Sequence, residues 1–399
     1  MVDVLVSFDF PPMIGGAHTW LYELYSRWPT EVRVLTSEYS FDLEEASREK
    51  KFDQSAPDRL KISRRVRTPP LADALSTGYL ARLWSQIKLV RELAALEKFS
   101  RKQRATIHVL RAIPEGVPAW LYCAARPRST RLVTYVHGED VLIAQASRQL
   151  SALARRIYEA SHLIIANSRN TQKLLVDAFP RVSSVCIHPG VDINEYQVGS
   201  NRGIDYRSMF SWPKETVIVF TLARMERRKN HAMLIRALAQ LRNERVPVAL
   251  ICGGDGPERG ELEKLVDMLG VVKWVKFLGA IPEDEKPMIF ASSDIFAMPS
   301  ISVGEMIEGF GIVLLEAAAS GLPTICGSTG GQPEAIRDGR TGFCVDGNSI
   351  VAVMTALKTL ANDEKLRHKF GAEGRLYAEE HDWKRLAKNV FNEVSGCWS

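Results

Sequence analysis

Short apolar runs alternate with amphipathic segments along most of this chain, and the alternation occurs twice. In the first half, β-branched and apolar runs predict strands at Val4–Phe8, Val32–Thr36, Ile107–Leu110, Leu132–Val136 and Leu163–Ala166. The segments between them have helical periodicity, near residues 16–28, 78–103, 116–125, 148–160 and 168–178. Alternating strands and helices predict a parallel sheet covered by helices, which is an α/β fold.

The second half of the chain repeats this order of elements. Strands are predicted at Val217–Leu222, Val248–Cys252, Val275–Leu278, Ile295–Met298 and Thr324–Cys326. Helices are predicted near residues 230–243, 258–269, 284–291, 312–320 and 349–361. We therefore predict two Rossmann-like parallel-sheet domains facing a central cleft, residues 1–195 and 196–380, with the connection inside 189–213. A last helix, from Trp383 to about Val394, is expected to return to the first domain, so that 381–399 completes it.

Length and composition agree with two soluble domains. A chain of 399 residues that is 46% hydrophobic and 25% charged suits two cores of about 200 residues each. No apolar run reaches about eighteen residues, and the N-terminus lacks a basic region followed by a long apolar one. We therefore expect a cytoplasmic protein without a membrane span or secretory signal. The six cysteines form no CxxC pair and are expected to be reduced thiols, not zinc ligands or disulfides.

Positive charge is concentrated in the first half. Residues 1–190 carry 27 Lys and Arg against 19 Asp and Glu, a balance of +8, which leaves 25 against 28, or −3, for the remainder. The basic surface is densest at 61–67 and 98–104. These clusters lack interleaved aromatic residues at a module spacing, so we do not expect nucleic-acid binding.

The predicted helix 78–103 carries an apolar stripe that runs into a basic cluster. The residues of the stripe are Leu80, Leu83, Trp84, Ile87, Val90, Leu93 and Ala94. Such a helix can lie on an anionic membrane surface. A protein held in this way at the inner face of the membrane would reach a lipid-linked acceptor. The helix can also pack on the domain core, which is the commoner use.

The segment EGFGIVLLE places two carboxylates, Glu308 and Glu316, eight residues apart around a glycine turn. A buried strand precedes it and a helix begins at Ile312, so the free N–H groups of the first helical turn are available to an anion, and Gly311 lets a ligand approach. On one helix eight residues would span about 12 Å. A retaining glycosidase needs its two carboxyl groups about 5 Å apart. The two glutamates are therefore interpreted as separate ligand contacts.

A basic pair follows the first predicted strand of the second half. Arg224 and Lys229 lie five residues apart in TLARMERRKNH, and together they suit a diphosphate whose negative charge grows as a bond to it breaks. The alternative is a solvated basic turn. Arg227 and Arg228 in the same segment are expected to face solvent.

Three further loops stand at predicted strand ends. Gly15 and Gly16 open the first helix and permit close backbone approach to a ligand, although a plain turn explains them equally well. His137 directly follows an apolar strand in YVHGEDVL, a position that favours ligand contact over a structural histidine. The glycine-rich turn CGGDGPERGEL, which contains Gly254, is weak evidence for a dinucleotide or phosphate site.

Taken in order, these motifs resemble the retaining GT-B glycosyltransferases of the family-4 group (group 1). The motifs are Gly15-Gly16, HGED at 137–140, ANS at 166–168, HPGVD at 188–192, Arg224 with Lys229, GGDGP at 253–257, and Glu308 with Glu316 followed by GLP and GGQPEAI. Only the region 37–105 matches no motif. The resemblance implies transfer of a sugar from a nucleotide-diphosphate sugar, a UDP- or GDP-sugar above all, to a glycan, lipid-linked or small-molecule acceptor. It also implies bacterial cell-envelope or polysaccharide biosynthesis.

The resemblance further implies roles for individual residues. The residues expected to act at the reacting sugar and diphosphate are Glu308, His137, Arg224 and Lys229. The residues expected to bind the donor are Gly15, Gly16, Gly254, Ala280, Ile281, Phe310, Gly311, Ile312 and Glu316. Among these, Glu308 would contact sugar hydroxyls, Glu316 the ribose, and residues 279–281 the nucleobase. No metal or other cofactor is expected.

The resemblance implies retention of anomeric configuration. No carboxylate is obviously placed as a covalent nucleophile, so front-face attack is expected, with the leaving diphosphate accepting the acceptor's proton. Three alternatives remain: a dinucleotide-dependent oxidoreductase, which PPMIGGA fits poorly; a nucleotide-sugar epimerase of the same fold; and an inactive glycosyltransferase-like partner, which would not need the four charged residues.

Overall fold

The computed structural model describes residues 1–13, 15–66, 94–98, 103–197 and 206–398. The chain divides into two compact units. The first contains Met1–His188 and Trp383–Ser399, and the second contains Pro189–Asp382.

The first unit is built on a parallel sheet, in which the described residues form seven strands. The strands are β1 Val2–Val6, β2 Val32–Ser37, β3 Leu60–Val66, β4 Ala105–Val109, β5 Thr130–Val136, β6 Leu163–Ala166 and β7 Val185–Cys186. Their order across the sheet is β3-β2-β1-β4-β5-β6-β7, so the direction of winding reverses between β1 and β4. The helices are α1 Gly16–Ser26, α2 Leu43–Ser55, α3 Gly116–Ala125, α4 Glu139–Ala144, α5 Arg148–Ala160, α6 Arg169–Ala178 and, from the C-terminus, α14 Trp383–Gly396.

The central strands are apolar on both faces because helices cover both sides of the sheet. Every residue of β1 and of β4 is buried, and the core also takes in side chains from α3, α5 and α6. The C-terminal segment belongs to this unit through aromatic contacts. Phe391 of α14 packs edge-on against Trp28 with ring centroids 5.3 Å apart, and the indole of Trp398 donates to the Thr106 hydroxyl at 3.1 Å.

The second unit has a smaller parallel sheet, in which the described residues form six strands. The strands are β8 Val217–Leu222, β9 Val248–Gly253, β10 Val275–Gly279, β11 Ile295–Met298, β12 Thr324–Gly327 and β13 Gly342–Val345, in the order β10-β9-β8-β11-β12-β13. The helices are α7 Ile193–Gln197, α8 His231–Asn243, α9 Arg259–Met268, α10 Lys286–Ala291, α11 Ile312–Ala319, α12 Ile350–Asn362 and α13 Glu364–Glu379. Apolar clusters cover both faces of this sheet.

The structure confirms the ten predicted strands to within about two residues, and it adds elements that the periodicity missed. One is α2, whose only buried residue is Ala46, so that it has no apolar stripe to detect. Its start is fixed by Asp42, whose carboxylate accepts hydrogen bonds from the N–H groups of Glu44 and Glu45. Strands β7 and β13 were also missed, because they are short and only partly buried.

Strand β3 corrects the prediction that residues 61–67 form an exposed basic surface. Residues 61–66 belong to β3, which pairs with β2 as the edge strand of the sheet, and residue 67 lies outside the described residues. The guanidinium side chain of Arg64 is only 2% exposed and binds both carboxylate oxygens of Asp53 at 2.9 Å. Edge strands often carry charged side chains, so β3 has no continuous apolar run. It was therefore not predicted as a strand from the sequence.

The predicted amphipathic helix 78–103 lies outside the described residues, except that 94–98 are helical. Within the described part of the chain, no helix combines the length and the apolar character needed to cross a membrane.

Candidate active site

The carboxyl ends of β8 and β11 define the candidate site of the second unit. The strand order reverses between these two neighbours, so the loops that follow them diverge to opposite faces and leave a crevice at the strand ends. The loop after β8 carries residues 223–230, and the loop after β11 carries residues 299–311. The basic segment and the first glutamate of the two-glutamate motif therefore meet at one edge of the sheet.

Glu308 forms a half-buried ion cluster with Arg228 and Lys229. Arg228 Nη1 lies 3.1 Å from Glu308 Oε2, and the ammonium of Lys229 contacts the same oxygen. Burial alone would raise the pKa of Glu308, but Lys229 and Arg228 outweigh burial and hold the pKa below its ordinary value. The carboxylate is therefore ionised at neutral pH and acts as a hydrogen-bond acceptor, as contact with sugar hydroxyls requires.

Arg228 does not face solvent as expected, and this is a correction. Its side chain is 18% exposed, whereas that of Arg224 is 71% exposed and pairs with Glu226 at 3.1 Å. The cause is local backbone geometry. Residues Arg227–Lys229 form a 3₁₀ turn that ends at Asn230 in the left-handed region, with φ 63°. The Asn230 amide donates to the carbonyls of Pro299 and Gly347, at 3.0 and 2.7 Å, and fixes the turn against the loop after β11.

The backbone of Glu308 is held by the glycine pair that follows β12. Gly331 N–H donates to the Glu308 carbonyl at 2.8 Å. Gly330 has φ +66°, and a Cβ there would lie 2.3 Å from the same carbonyl oxygen. Only glycine satisfies both the positive φ and the close approach. The GGQPEAI motif thus positions Glu308 from a loop more than twenty residues away in sequence.

Helix α11 begins immediately after Glu308 without a side-chain cap. Gly311 precedes it in the left-handed region, with φ 90°, and as the N-cap residue provides no side-chain cap for its first N–H groups. Phe310 is buried beside it and Ile312 is the first helical residue. Gly311 lies only three residues after Glu308, which contacts Lys229 and Arg228. Because a helix start carries partial positive charge, its N–H groups add to the charge of these two side chains. The arrangement suits an anion such as a diphosphate.

Glu316 lies buried in α11, one helical turn beyond its start. The Tyr196 hydroxyl of α7 hydrogen-bonds to the Glu316 carboxylate, and burial with Glu316 raises the pKa of Tyr196. Burial would lower the pKa of Lys286, but Glu316 and Glu283 raise it above its ordinary value. Lys286 also pairs with Glu283 at 2.6 Å. The Glu316 carboxylate is thus held by one hydroxyl and stabilised by one ammonium in an apolar surrounding.

The glycine-rich turn after β9 is explained by contact with protein backbone. Gly254 has φ +104°, and a Cβ there would lie 2.2 Å from the Ala223 carbonyl oxygen. A Cβ at Gly256 would lie 2.6 Å from the carbonyl oxygen of Met225. The Gly254 N–H donates to the Gly279 carbonyl at 2.7 Å. The turn therefore supports the basic loop after β8 and the segment that leads to Ala280, which is exposed, and Ile281.

In the first unit, the predicted residues lie at the carboxyl ends of β1 and β5. Gly15 precedes α1 and Gly16 is its first residue. His137 follows β5 and packs edge-on against Trp20, with ring centroids 5.4 Å apart. Burial, with the nearby charge of Arg111, lowers the pKa of His137 to about 3, and its Nε2 lies 3.1 Å from the Leu110 carbonyl. The ring is therefore neutral, donates from Nε2, and keeps Nδ1 as an acceptor.

A charged cluster that sequence reasoning missed stands beside these residues. Arg111 follows β4 and binds Asp9 at 2.5 Å and Glu115 at 2.8 Å, and His18 Nε2 lies 3.8 Å from Asp9. Glu115 is fully buried, and Arg111 is its partner in an ion pair. The cluster occupies the position between β1 and β4 at which the strand order reverses. The i, i+4 spacing of Arg111 and Glu115 was the sequence feature that could have indicated this cluster.

Comparisons with known proteins agree with this geometry. The family described as glycosyl transferases group 1 matches residues 205–377, and the one described as glycosyltransferase family 4 matches residues 14–195. A GDP-mannose-dependent alpha-(1-6)-phosphatidylinositol monomannoside mannosyltransferase of Mycobacterium tuberculosis is 30% identical over 402 residues, which cover 98% of each chain. A D-inositol 3-phosphate glycosyltransferase of Corynebacterium glutamicum is 34% identical over 255 residues, or 59% of each chain.

Solved structures show the same fold at lower identity. Alr3699/HepE of Anabaena, in complex with UDP-glucose, has a TM-score of 0.77 at 20% identity, over 99% of this chain and 100% of that chain. Sucrose-phosphate synthase of Thermosynechococcus elongatus has a TM-score of 0.76 at 20% identity, over 99% of both chains. Fold and site together define a glycosyltransferase of the GT-B class that uses a nucleotide-sugar donor, which confirms the predicted fold and activity. The chain belongs to the group 1, family-4 glycosyltransferases.

Proposed function

We propose that this enzyme is a retaining hexosyltransferase that moves mannose from GDP-mannose to a lipid-linked acceptor in bacterial cell-envelope biosynthesis. The choice of donor and acceptor rests on the mannosyltransferases that match 98% of the chain at 29% and 30% identity. The structural observation that carries the proposal is the Glu308 cluster. In this cluster an ionised carboxylate contacts two cations, and the start of α11 follows four residues later without a side-chain cap. This supports our assignment of the carboxylate to sugar hydroxyls and of the cations and helix start to a diphosphate.

In the proposed mechanism, charge stabilisation drives departure of the nucleoside diphosphate. Lys229 and Arg228 donate to the diphosphate oxygens as negative charge develops on them, and the first N–H groups of α11 do the same. Arg224, which is exposed and paired with Glu226, can reach the same phosphates from the protein surface. The leaving phosphate oxygen accepts the proton of the attacking hydroxyl, so attack occurs on the face from which the diphosphate leaves and configuration is retained.

Donor binding uses the elements around α11. Gly311 and Ile312 present their backbone to the diphosphate, and Glu316 accepts hydrogen bonds from the ribose. Residues 279–281 contact the nucleobase. In the first unit, the backbone at Gly15 and Gly16 serves the diphosphate, and His137, which is neutral throughout the physiological range, serves the reacting sugar.

The proposal is tested by donor and product analysis. Purified enzyme is incubated with GDP-mannose, UDP-glucose or UDP-N-acetylglucosamine and a phosphatidylinositol monomannoside acceptor, and the product's anomeric configuration is read by NMR. We expect transfer from GDP-mannose to give an α-linked product, and we expect this activity to persist in EDTA. Transfer from a UDP-sugar alone would overturn the donor, a β product would overturn the α-mannosyl assignment, and activity that needs added magnesium would overturn the metal-free reaction.

We also propose that the basic first unit docks on anionic membranes to reach this acceptor. Lysine and arginine near an anionic surface contribute about 1 kcal/mol each, and the attraction is screened over about 8 Å at physiological salt. Sedimentation with anionic and neutral vesicles tests this: pelleting only with anionic vesicles, and less at high salt, is expected. Equal and negligible pelleting with both at low salt would instead indicate a soluble acceptor.

A further inference from the structure

Cys326 and Cys344 lie directly opposite each other on the neighbouring parallel strands β12 and β13, as partners in register. Both side chains leave the sheet on the same face, with Cys326 inside one apolar cluster and Cys344 packed against it. The two thiols are close enough to shift each other's pKa, that of Cys326 upward and that of Cys344 downward. Neighbouring strands lie about 4.8 Å apart, within the Cα separation of about 4.4–6.8 Å that a disulfide spans. No other two of the described cysteines occupy opposed strand positions.

The two thiols differ in exposure and in pKa, as the two members of a reactive cysteine pair do. Cys326 is fully buried, whereas Cys344 is half-buried and so within reach of small molecules. The neighbouring Cys326 lowers the pKa of Cys344, although burial and Asp338 act in the opposite direction. Cys344 Sγ lies 3.7 Å from the Gly327 carbonyl oxygen at the end of β12. Cys344 is therefore the attacking thiolate and Cys326 the thiol that resolves it.

The pair is coupled to Glu308 through a short stretch of backbone. Gly327, next to Cys326, donates its N–H to Gln332 at 3.2 Å, and a Cβ on Gly327 would lie 2.0 Å from the Ser300 carbonyl oxygen. Gly331, five residues after Cys326, donates to the Glu308 carbonyl at 2.8 Å. Because these backbone contacts are close, we expect a shift of β12 toward β13 to move the loop that carries Glu308.

We propose that Cys326 and Cys344 form a site of reversible oxidative modification, at which a peroxide joins the two strands through a disulfide and displaces the Glu308 loop. With a peroxide, the Cys344 thiolate attacks one peroxide oxygen, the O–O bond breaks, and hydroxide leaves and takes a proton to become water. Cys344 is then a sulfenic acid. The Cys326 sulfur attacks the Cys344 sulfur, the S–O bond breaks, and the oxygen leaves as a second water with the Cys326 proton. The two thiols lose two electrons and the peroxide gains them.

The modification is detected without any activity measurement. The folded protein is treated with hydrogen peroxide, then blocked with iodoacetamide and digested with trypsin. We expect the peptide that ends at Arg337 to be joined to Thr341–Lys358 with loss of two hydrogen atoms, and dithiothreitol to separate them. Cys344→Ser should abolish the joined peptides. The matched control Cys397→Ser removes another half-buried thiol and should leave them unchanged. Absence of the joined peptides in the wild type overturns the proposal.

The coupling to Glu308 is measured by hydrogen exchange and by transfer. We expect the oxidised wild type to exchange faster over residues 299–311 and to lose about tenfold or more in turnover, since displacement of a positioned group by about 1 Å can cost about 10²-fold. Oxidised Cys344→Ser should match its reduced form in both measurements. The transfer measurement rests on the proposed function, whereas the exchange measurement does not. Joined peptides with unchanged exchange at 299–311 would refute the coupling whatever the enzyme's substrate.

Discussion

Lys229 donates to the carboxylate of Glu308 from the far side of the crevice between β8 and β11. The two residues are 79 positions apart in the chain, and both side chains are nearly removed from solvent. The pair holds a carboxylate and an ammonium in fixed positions before any ligand arrives. Preorganised charges of this kind contribute more to transition-state stabilisation than mobile surface charges, because no reorganisation is needed during the reaction.

Arg228→Ala should lower turnover by about 10²–10³, because one preorganised charge partner typically contributes about 2.7–4 kcal/mol. Its neighbour Arg227 is exposed, so Arg227→Ala is the matched control and should stay within about threefold of wild type. Steady-state kinetics of both variants, with thermal unfolding to verify folding, makes the comparison. Equal kinetics for the two variants would contradict the role assigned to the cluster.

Gly330→Ala should impair turnover through the backbone of Glu308. The new Cβ would lie 2.3 Å from the Glu308 carbonyl oxygen and must push the loop away. Gly339→Ala is the control, since Gly339 has nearly the same φ, +70° against +66°, but open space around the Cβ position. Both variants carry similar backbone strain of about 1–2 kcal/mol. We expect only Gly330→Ala to lose at least about tenfold in turnover, and a similar loss in Gly339→Ala would attribute the effect to strain alone.

Tyr196→Phe and Lys286→Met should weaken binding of GDP by about tenfold or more, since each removes a group that fixes the buried Glu316 carboxylate, and hydrogen bonds to charged groups contribute about 1.5–3 kcal/mol. Glu316→Gln should have at least the same effect. Tyr206→Phe is the control, because the Tyr206 hydroxyl donates to Glu285 instead. Titration calorimetry with GDP and with inorganic pyrophosphate separates the roles: affinity for pyrophosphate should not change. Unchanged GDP affinity in Glu316→Gln would remove the ribose contact from the mechanism.

His137 should make the protein less stable in acid. Its folded-state pKa of about 3 lies below the ordinary value of 6.5, so the unfolded chain binds the extra proton first. The contribution to stability is complete above pH 6.5 and is lost as the pH falls toward 3, by up to about 1.4 kcal/mol per pH unit. Urea unfolding between pH 7 and 4 should show a shallower decline in His137→Gln than in wild type. The exposed His368 supplies the control, and His368→Gln should follow the wild-type curve.

Local sequence was sufficient for the elements with buried, apolar strands. β6, β8 and β11 occupy the predicted residues, because each is a central strand covered on both faces and so reads as an apolar run. The helix start within the two-glutamate motif was also readable, since Gly311 and its neighbours within one turn set it. These features depend on contacts close in sequence.

Only the tertiary structure determined which charged side chains pair with each other. The sequence offers four basic residues between Arg224 and Lys229 and cannot say which pair reaches Glu308, because the turn is oriented by Asn230 binding Pro299 and Gly347, 69 and 117 positions away. Arg64 is buried and Arg111 is half-buried, and in the fold each is paired with a carboxylate from another segment. Periodicity records which side of an element faces an apolar core, and so it determined the two sheets. It carries no information about which charged groups are brought together at their edges, and only the folded chain supplies it.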